Sequence, residues 1–421
     1  MQDPDRLPPA MPEYLKNASI FLVSCLLCYL LAEAGYSYLY RHGLLDNGLR
    51  DGWFFKEADQ TIHFDPVIGY RLGAHPSTNI RIVEGKVEYT GTFQGNNQGF
   101  QDSHDFFPAR PADNPFRVAI LGDSFATEQF HERNWPDTVE SWASQQPAGR
   151  RLEILNFSLN GGGLVNWRNI LLERIEREGY ELDLLVIPVF ADNLFRQFVV
   201  YEARNTRKLL IGRTGYDPDH LPQTFAEVAA CCVYESDGYI LNGEEWRKFV
   251  EEGWHPTLPL PEGRYLKDAL LFISALALQS AREALATGTV TPVLPAANED
   301  DTFLPDPRLG HGQLGPAQLR LINDIKGYIQ RQRIPVIIVR VPERNELAHQ
   351  APVAGNVLDF AGLLGAPVVD GLAAFAGVAP EERQQQYFPH DGHWNQQGSD
   401  NFARFMLAVL REQQEASQKS Q

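Results

Sequence analysis

The chain is poor in cysteine: four in 421 residues, in two close pairs, Cys25 with Cys28 and Cys231 with Cys232. Adjacent cysteines rarely bridge each other because disulfide geometry is demanding, so no disulfide framework can be read here. Cys25 and Cys28 lie in an apolar run with no further ligands nearby, whereas a structural zinc site needs four. That pair faces lipid or a neighbouring helix, and neither metal nor other cofactor is expected. Basic residues are also short, 37 Lys and Arg against 54 Asp and Glu, for a net charge of −17. Without clustered Lys and Arg there is no footprint for nucleic acid; the acidity serves solubility. No internal repeat is visible. A 43% hydrophobic and 22% charged composition excludes wholesale disorder.

Long hydrophobic runs are scarce too, with one exception. ASIFLVSCLLCYLLA at 18–32 holds no charge. It falls short of the ~20 residues of a full span, but AGYSYLY at 34–40 can complete it. Tyr36, Tyr38 and Tyr40, then Arg41 and His42, read as an interfacial belt. Residues 17–40 are therefore expected to form a single transmembrane anchor. The rivals are a cleaved signal peptide, disfavoured by a weakly basic leader and a poor Ala-Glu-Ala cleavage site, and a buried soluble helix. Arg6 and Lys16 against Asp3, Asp5 and Glu13 barely set the orientation.

What remains divides by pattern. Residues 1–16 are a polar, Pro-rich tail. Residues 44–115 alternate over 79–83 and 86–93 between Gly-rich turns, which predicts a small β-rich region; Pro108, Pro111 and Pro115 mark a linker. Within 116–415, RVAIL (117–121), LEILN (152–156), DLLVIPV (183–189), IPVIIVRV (334–341) and APVVD (366–370) are short apolar strands. Helical stretches separate them, such as 166–178 and 316–331, the latter with Leu319, Ile322, Ile325 and Ile329 at helical spacing. This alternation predicts an α/β domain whose parallel sheet is covered on both faces. The interval 200–315 breaks the pattern and is expected to be an insertion over or beside the active edge, with a helix near 265–287. A last helix over 396–415 buries Phe402, Phe405, Met406 and Val409, and 416–421 is a tail.

Chemistry-bearing residues sit where these strands end, the place where open α/β sheets collect ligands. Leu-Gly-Asp-Ser-Phe at 121–125 follows the first strand, so Ser124 opens a helix with its hydroxyl at the sheet edge; a plain helix cap is the competing role. His390-Asp-Gly-His-Trp-Asn-Gln-Gln-Gly398 precedes the last helix. A serine needs an imidazole to take its proton. His393 fits, with Asp391 two residues earlier to hold its tautomer. Asp-x-His alone also suits a solvated turn or half a metal site. His390 is a rival base, and Trp394 either walls the imidazole or fills the core. Asn156-Phe-Ser-Leu-Asn-Gly-Gly-Gly163 offers backbone N–H groups to an oxyanion, as an alternative to an ordinary turn. Phe190-Ala-Asp-Asn-Leu194 offers the Asn193 amide.

In this order, the four elements resemble the SGNH/GDSL hydrolase superfamily. The Asp-Gly-His-Trp-Asn spelling resembles its membrane-anchored, polysaccharide-acetylation-related branch, as do Gly69-Tyr-Arg-Leu72 and Asn97-Gln-Gly-Phe100. The match covers about 117–200 and 330–410. The resemblance implies a flavodoxin-like parallel sheet sandwiched by helices, with Ser124 as nucleophile, His393 as base and Asp391 orienting it. It also implies an oxyanion hole from the Ser124 N–H, Gly161 and an Asn. The family's Asn-Asp pair is inverted here to Asp192-Asn193, and an Asp facing the oxyanion would repel it; the expectation is that Asn193 serves. Asp123, Asp192 and Trp394 are expected at the site without an assigned part. The function expected is an extracytoplasmic ester hydrolase acting on O-acyl, foremost O-acetyl, esters of carbohydrate. Its alternatives are a polysaccharide O-acetyltransferase using the same triad and a degenerate glycan-binding or scaffold protein. The expected partners are the ester substrate and the membrane.

Overall fold

In a computed structural model of the chain, the described residues are 52–83, 86–146, 149–204, 208–214, 221–231, 234–252 and 313–420, with 21–25, 27–31 and 35. The chain divides into two units, Met1–Arg50 with Lys248–Ala297, and Asp51–Arg247 with Asn298–Gln421. In the first, the described part of 21–31 is helical and exposes Phe21, Leu22, Val23, Leu27 and Leu31. Among the described residues no helix is long and apolar enough to cross a membrane. Most of the expected anchor, and the helix expected near 265–287, lie outside the described residues.

The second unit opens with five strands: β1 (Gly52–Lys56), β2 (Ile62–Asp65), β3 (Gly69–Leu72), β4 (Ser77–Val83) and β5 (Lys86–Phe93). Then the alternation begins: β6 (Phe116–Ile120), α1 (Ser124–Thr127), α2 (Trp135–Ser144), β7 (Leu152–Asn156), α3 (Leu164–Ile170) and β8 (Leu184–Val189). Three strands interrupt it, β9 (Phe198–Arg204), β10 (Lys208–Thr214) and, after α4 (Phe225–Cys231), β11 (Tyr234–Leu241). A helix, α5 (Gly243–Glu252), follows, and the alternation then resumes. Its second part is α6 (Pro316–Gln332), β12 (Val336–Arg340), α7 (Arg344–His349), α8 (Gly355–Leu364), β13 (Val368–Asp370) and α9 (Gln396–Ser420).

Strands β13-β12-β8-β6-β7 form one sheet in that order, all parallel. Read from its first strand, the order is 2-1-3-4-5, the flavodoxin-like arrangement. The strands are apolar on both faces because each face is covered. Val118, Ile120, Ile154 and Val186 lie in one cluster with Trp135 and Val139 of α2 and with Phe402, Met406 and Leu410 of α9. Ala119, Leu155, Leu185 and Ile187 lie in another with residues of α3, α6 and α8. The period-2 alternation of β6 therefore feeds two cores.

A second sheet joins segments the sequence keeps apart. Its order is β5-β4-β1-β11-β10-β9, antiparallel except where β1 lies parallel to β11. The early β-rich region and the described strands of the insertion thus share one accessory sheet. Three strands are stable only with an apolar face to bury. Joined, and with Phe55 and Phe93 in the same cluster as Leu155 and Ile187, they hold together.

Candidate active site

Strand β6 lies between β7 and β8, so the strand order reverses at its edge. The crevice at the carboxyl end of such a strand is open to a ligand. Here β6 runs into Gly122, Asp123 and Ser124. Asp123 caps α1, its Oδ1 accepting the Phe125 N–H at 3.0 Å. The capping part that sequence allowed to Ser124 therefore falls to its neighbour, and the Ser124 hydroxyl is left to face His393.

The Ser124 Oγ to His393 Nε2 distance is 2.7 Å, and His393 Nδ1 to Asp391 Oδ1 is 2.5 Å. With Nδ1–H donating to the carboxylate, Nε2 carries a lone pair toward the serine hydroxyl. Phe125 and Phe130 flank the imidazole, with ring centroids 4.9 and 4.6 Å away. The rival His390 is held elsewhere: its N–H donates to Glu88 Oε1 at 2.6 Å, and its ring Nδ1 lies 3.4 Å from the same oxygen.

Asp391 is braced from the accessory sheet. Arg81 of β4 donates to its Oδ2 at 2.8 Å and to the His390 carbonyl at 2.9 Å. Tyr89 of β5 donates to the same Oδ2 at 3.3 Å and accepts from Trp53 Nε1 at 2.7 Å. Burial pushes the Asp391 carboxyl up, but the hydrogen bonds and charge of His393, with Arg81 behind them, outweigh it and hold the pKa at about 2. The carboxylate therefore stays ionised and available to an imidazolium. Burial and the Asp391 charge push the Tyr89 phenol far up, so it remains a donor.

The groups expected to receive an oxyanion divide. The Ser124 and Gly161 N–H groups donate to no acceptor among the described residues. Gly161 has φ +78°, and a Cβ there would lie 2.8 Å from the Tyr201 hydroxyl, so the loop requires glycine. Asn193 departs from expectation. It is fully buried, donates from Nδ2 to Asp123 Oδ2 at 2.9 Å and to Gly162 O at 3.4 Å, and its Oδ1 accepts the Phe190 N–H. Its amide is consumed in holding the Asp123–Ser124 turn, where Arg196 also meets Asp123 Oδ2 at 2.9 Å. The inversion thus sends Asn193 inward and leaves Asp192 exposed, its charge helping burial to raise the Glu343 carboxyl.

Trp394 is a buried wall. It packs edge-on against Phe125 and donates from Nε1 to Glu128 Oε1. Glu128, fully buried, also accepts the Trp135 N–H at 2.8 Å and the Ser399 hydroxyl at 2.7 Å. Its own N–H donates to the Ser124 carbonyl at 2.9 Å. One carboxylate therefore ties the Ser124 turn to the loop that carries His393. Arg344 supports that loop from the other side, donating to the Pro389 and Asp391 carbonyls at 2.9 and 2.8 Å.

Sequence reasoning missed Arg81, Tyr89, Glu128 and Arg344. Glu128, four residues after Ser124, had a weak signal as a charge in an otherwise uncharged stretch, 124–130. The others had none, because their partners are remote in sequence.

Among the described residues, two openings are lined by both Asp391 and His393. One, about 570 Å³, lies beside Phe125, Phe190, Arg196, Glu343 and Arg344. The other, about 210 Å³, lies between Asp391 and His393 on one side and residues of the accessory sheet on the other. Away from both, Asp102, His104 and Asp137 place potential metal-ligand atoms within 4.8 Å of one another. Those carboxylates already accept protein N–H and hydroxyl groups, from His104, Asn156 and Ser103.

No family model matches the chain, and no curated protein does. Solved structures do. An acetyl xylan esterase aligns at a TM-score of 0.33 and 11% identity, over 70% of this chain and 98% of that one. A lipase/acylhydrolase from Enterococcus faecalis aligns at 0.33 and 10%, over 70% and 95%. A GDSL-like lipase from Bacteroides thetaiotaomicron aligns at 0.28 and 12%, over 74% and 93%. At these scores and identities nothing is argued from the alignments, and the chemistry stands on the residues described above.

Proposed function

We propose that this protein is a serine ester hydrolase acting outside the cytoplasm on O-acyl, foremost O-acetyl, esters of carbohydrate, with residues 17–40 as its membrane anchor. The observation that carries the reading is the unbroken hydrogen-bonded line from Ser124 through His393 to Asp391. In this scheme the Ser124 Oγ attacks the acyl carbonyl as His393 Nε2 takes its proton. The Ser124 and Gly161 N–H groups receive the oxyanion. Collapse expels the alcohol, which takes the proton from His393, and water then releases the acid by the same steps in reverse. Asp391 stays charged throughout and stabilises the imidazolium.

The test is hydrolysis of p-nitrophenyl acetate by the purified protein. Ser124→Ala is expected to lower turnover by ~10³-fold or more with folding intact; equal turnover by the two proteins would end the enzyme reading and favour a binding or scaffold protein. Transfer to a sugar hydroxyl is a second reading, favoured by the 570 Å³ opening beside His393, which has room for an acceptor. Incubation with an acetyl donor and an oligosaccharide separates the two: acetylated sugar marks transfer, free acetate alone marks hydrolysis.

A further inference from the structure

The cavity between the accessory sheet and the triad combines two kinds of wall. Trp53, Tyr70 and Tyr201 present aromatic surface, with the two tyrosine rings 4.8 Å apart. Asn79, Gln129 and Asn160 present amides, and Asp391 and His393 close one side. Asn79 is 5% exposed; its Oδ1 accepts the Gly91 N–H, while its Nδ2 has no acceptor among the described residues. The Asn160 side chain has no hydrogen bond there either. The accessory sheet closes in because Gly91 lets β5 touch the Gln129 backbone, where a Cβ would lie 2.1 Å from the carbonyl oxygen.

Resting on the ester-hydrolase reading, we propose that this cavity binds one sugar ring of the alcohol that carries the ester. A pyranose has apolar C–H faces for aromatic walls and a rim of hydroxyls for amide donors and acceptors. An alkyl chain would bury those amides unpaired, each at a cost. The 210 Å³ volume suits a single ring, below the ~300–1,000 Å³ of pockets for drug-sized ligands. Position agrees: the leaving alcohol takes its proton from His393, so it belongs in a space that His393 lines. The ionic groups of the wall, Asp391 and His393, are engaged with each other, which fits a neutral ligand.

Saturation-transfer NMR on the full chain carrying Ser124→Ala tests this without turnover. The probes are methyl glycosides of xylose, glucose and N-acetylglucosamine, with octanoate as competitor. At least one glycoside is expected to bind and to resist displacement by octanoate. Asn79→Ala should weaken it about fivefold or more, the loss of a hydrogen bond, and Ile62→Phe, which fills the cavity, should abolish it. Circular dichroism identifies any variant that fails to fold, and the folded one then decides. No binding by any of the three sugars, displacement by octanoate, or unchanged binding in a folded variant overturns the proposal. A chain that binds the sugar but cleaves no ester overturns the hydrolase reading and leaves the cavity assignment standing.

Discussion

Arg81 shows how much of this site depends on single side chains. It contacts Asp391 across 310 positions of sequence, lies 4.3 Å over the Trp53 ring and pairs with Glu88 at 2.9 Å. Its guanidinium fixes the carboxylate while sharing its charge. Arg81→Gln is expected to lower kcat/KM on p-nitrophenyl acetate by about 10- to 100-fold, the scale of a small misplacement in a triad. The same change bears on acid stability. A carboxyl held at about 2 contributes stability that is present above the unfolded value of ~3.9 and lost as pH falls through about 2. Without Arg81 the folded value rises, so acid unfolding monitored by circular dichroism should begin at higher pH. An unchanged kcat/KM would reduce Arg81 to a surface ion pair. Ser124, His393 and Asp391 were legible because each belongs to a local motif; Arg81 and Tyr89 were not, since nothing in β4 or β5 announces a partner on the final loop.

At the scale of elements, the joint between α1 and the loop before α9 is a carboxylate. Glu128→Ala would leave the Trp135 N–H, the Trp394 indole and the Ser399 hydroxyl buried without their acceptor. At roughly 1–3 kcal/mol per orphaned group, the expected loss is at least about 3 kcal/mol, read from urea midpoints; a loss under 1 kcal/mol would mean water replaces the carboxylate. Helix α2 brings a second titrating cluster. Burial, with the Asp102 charge, raises the Glu140 carboxyl, and the hydrogen bond to Asp102 raises His104. Both folded values lie above the unfolded ones, so the folded state holds extra protons, and stability falls as pH climbs from the carboxylate range through the histidine range. Melting temperature should decline over that window, and Glu140→Gln should flatten its lower part. A profile that rises with pH would contradict this. The direction of Asn193 belongs to this scale too. The short 3₁₀ turn Ala191–Phe195 aims it at Asp123, and a motif read letter by letter cannot tell a one-residue shift from a half-turn.

Across the whole molecule, the accessory sheet and the parallel sheet share a core. Phe55, Ile62, Tyr70, Leu72, Phe93 and Phe100 lie in one cluster with Leu155, Leu164 and Ile187. Deleting residues 1–100 removes that wall together with Arg81 and Tyr89, so the remainder is expected to express as unfolded or aggregated protein by circular dichroism and size exclusion. A folded, active remainder would show the sheet to be an independent appendage. The sequence alone determined the parallel sheet, its covering helices and the loops that carry Ser124, Asp391 and His393. Those follow from periodicity and turn chemistry within short windows, where local physics dominates. Only the tertiary structure decided that β1 lies beside β11, that Arg81 stands behind Asp391, and that an aromatic cavity opens next to His393. Strand pairing and ion pairing between distant segments are chosen by which surfaces the collapsed chain can bury together, and no local pattern encodes that choice.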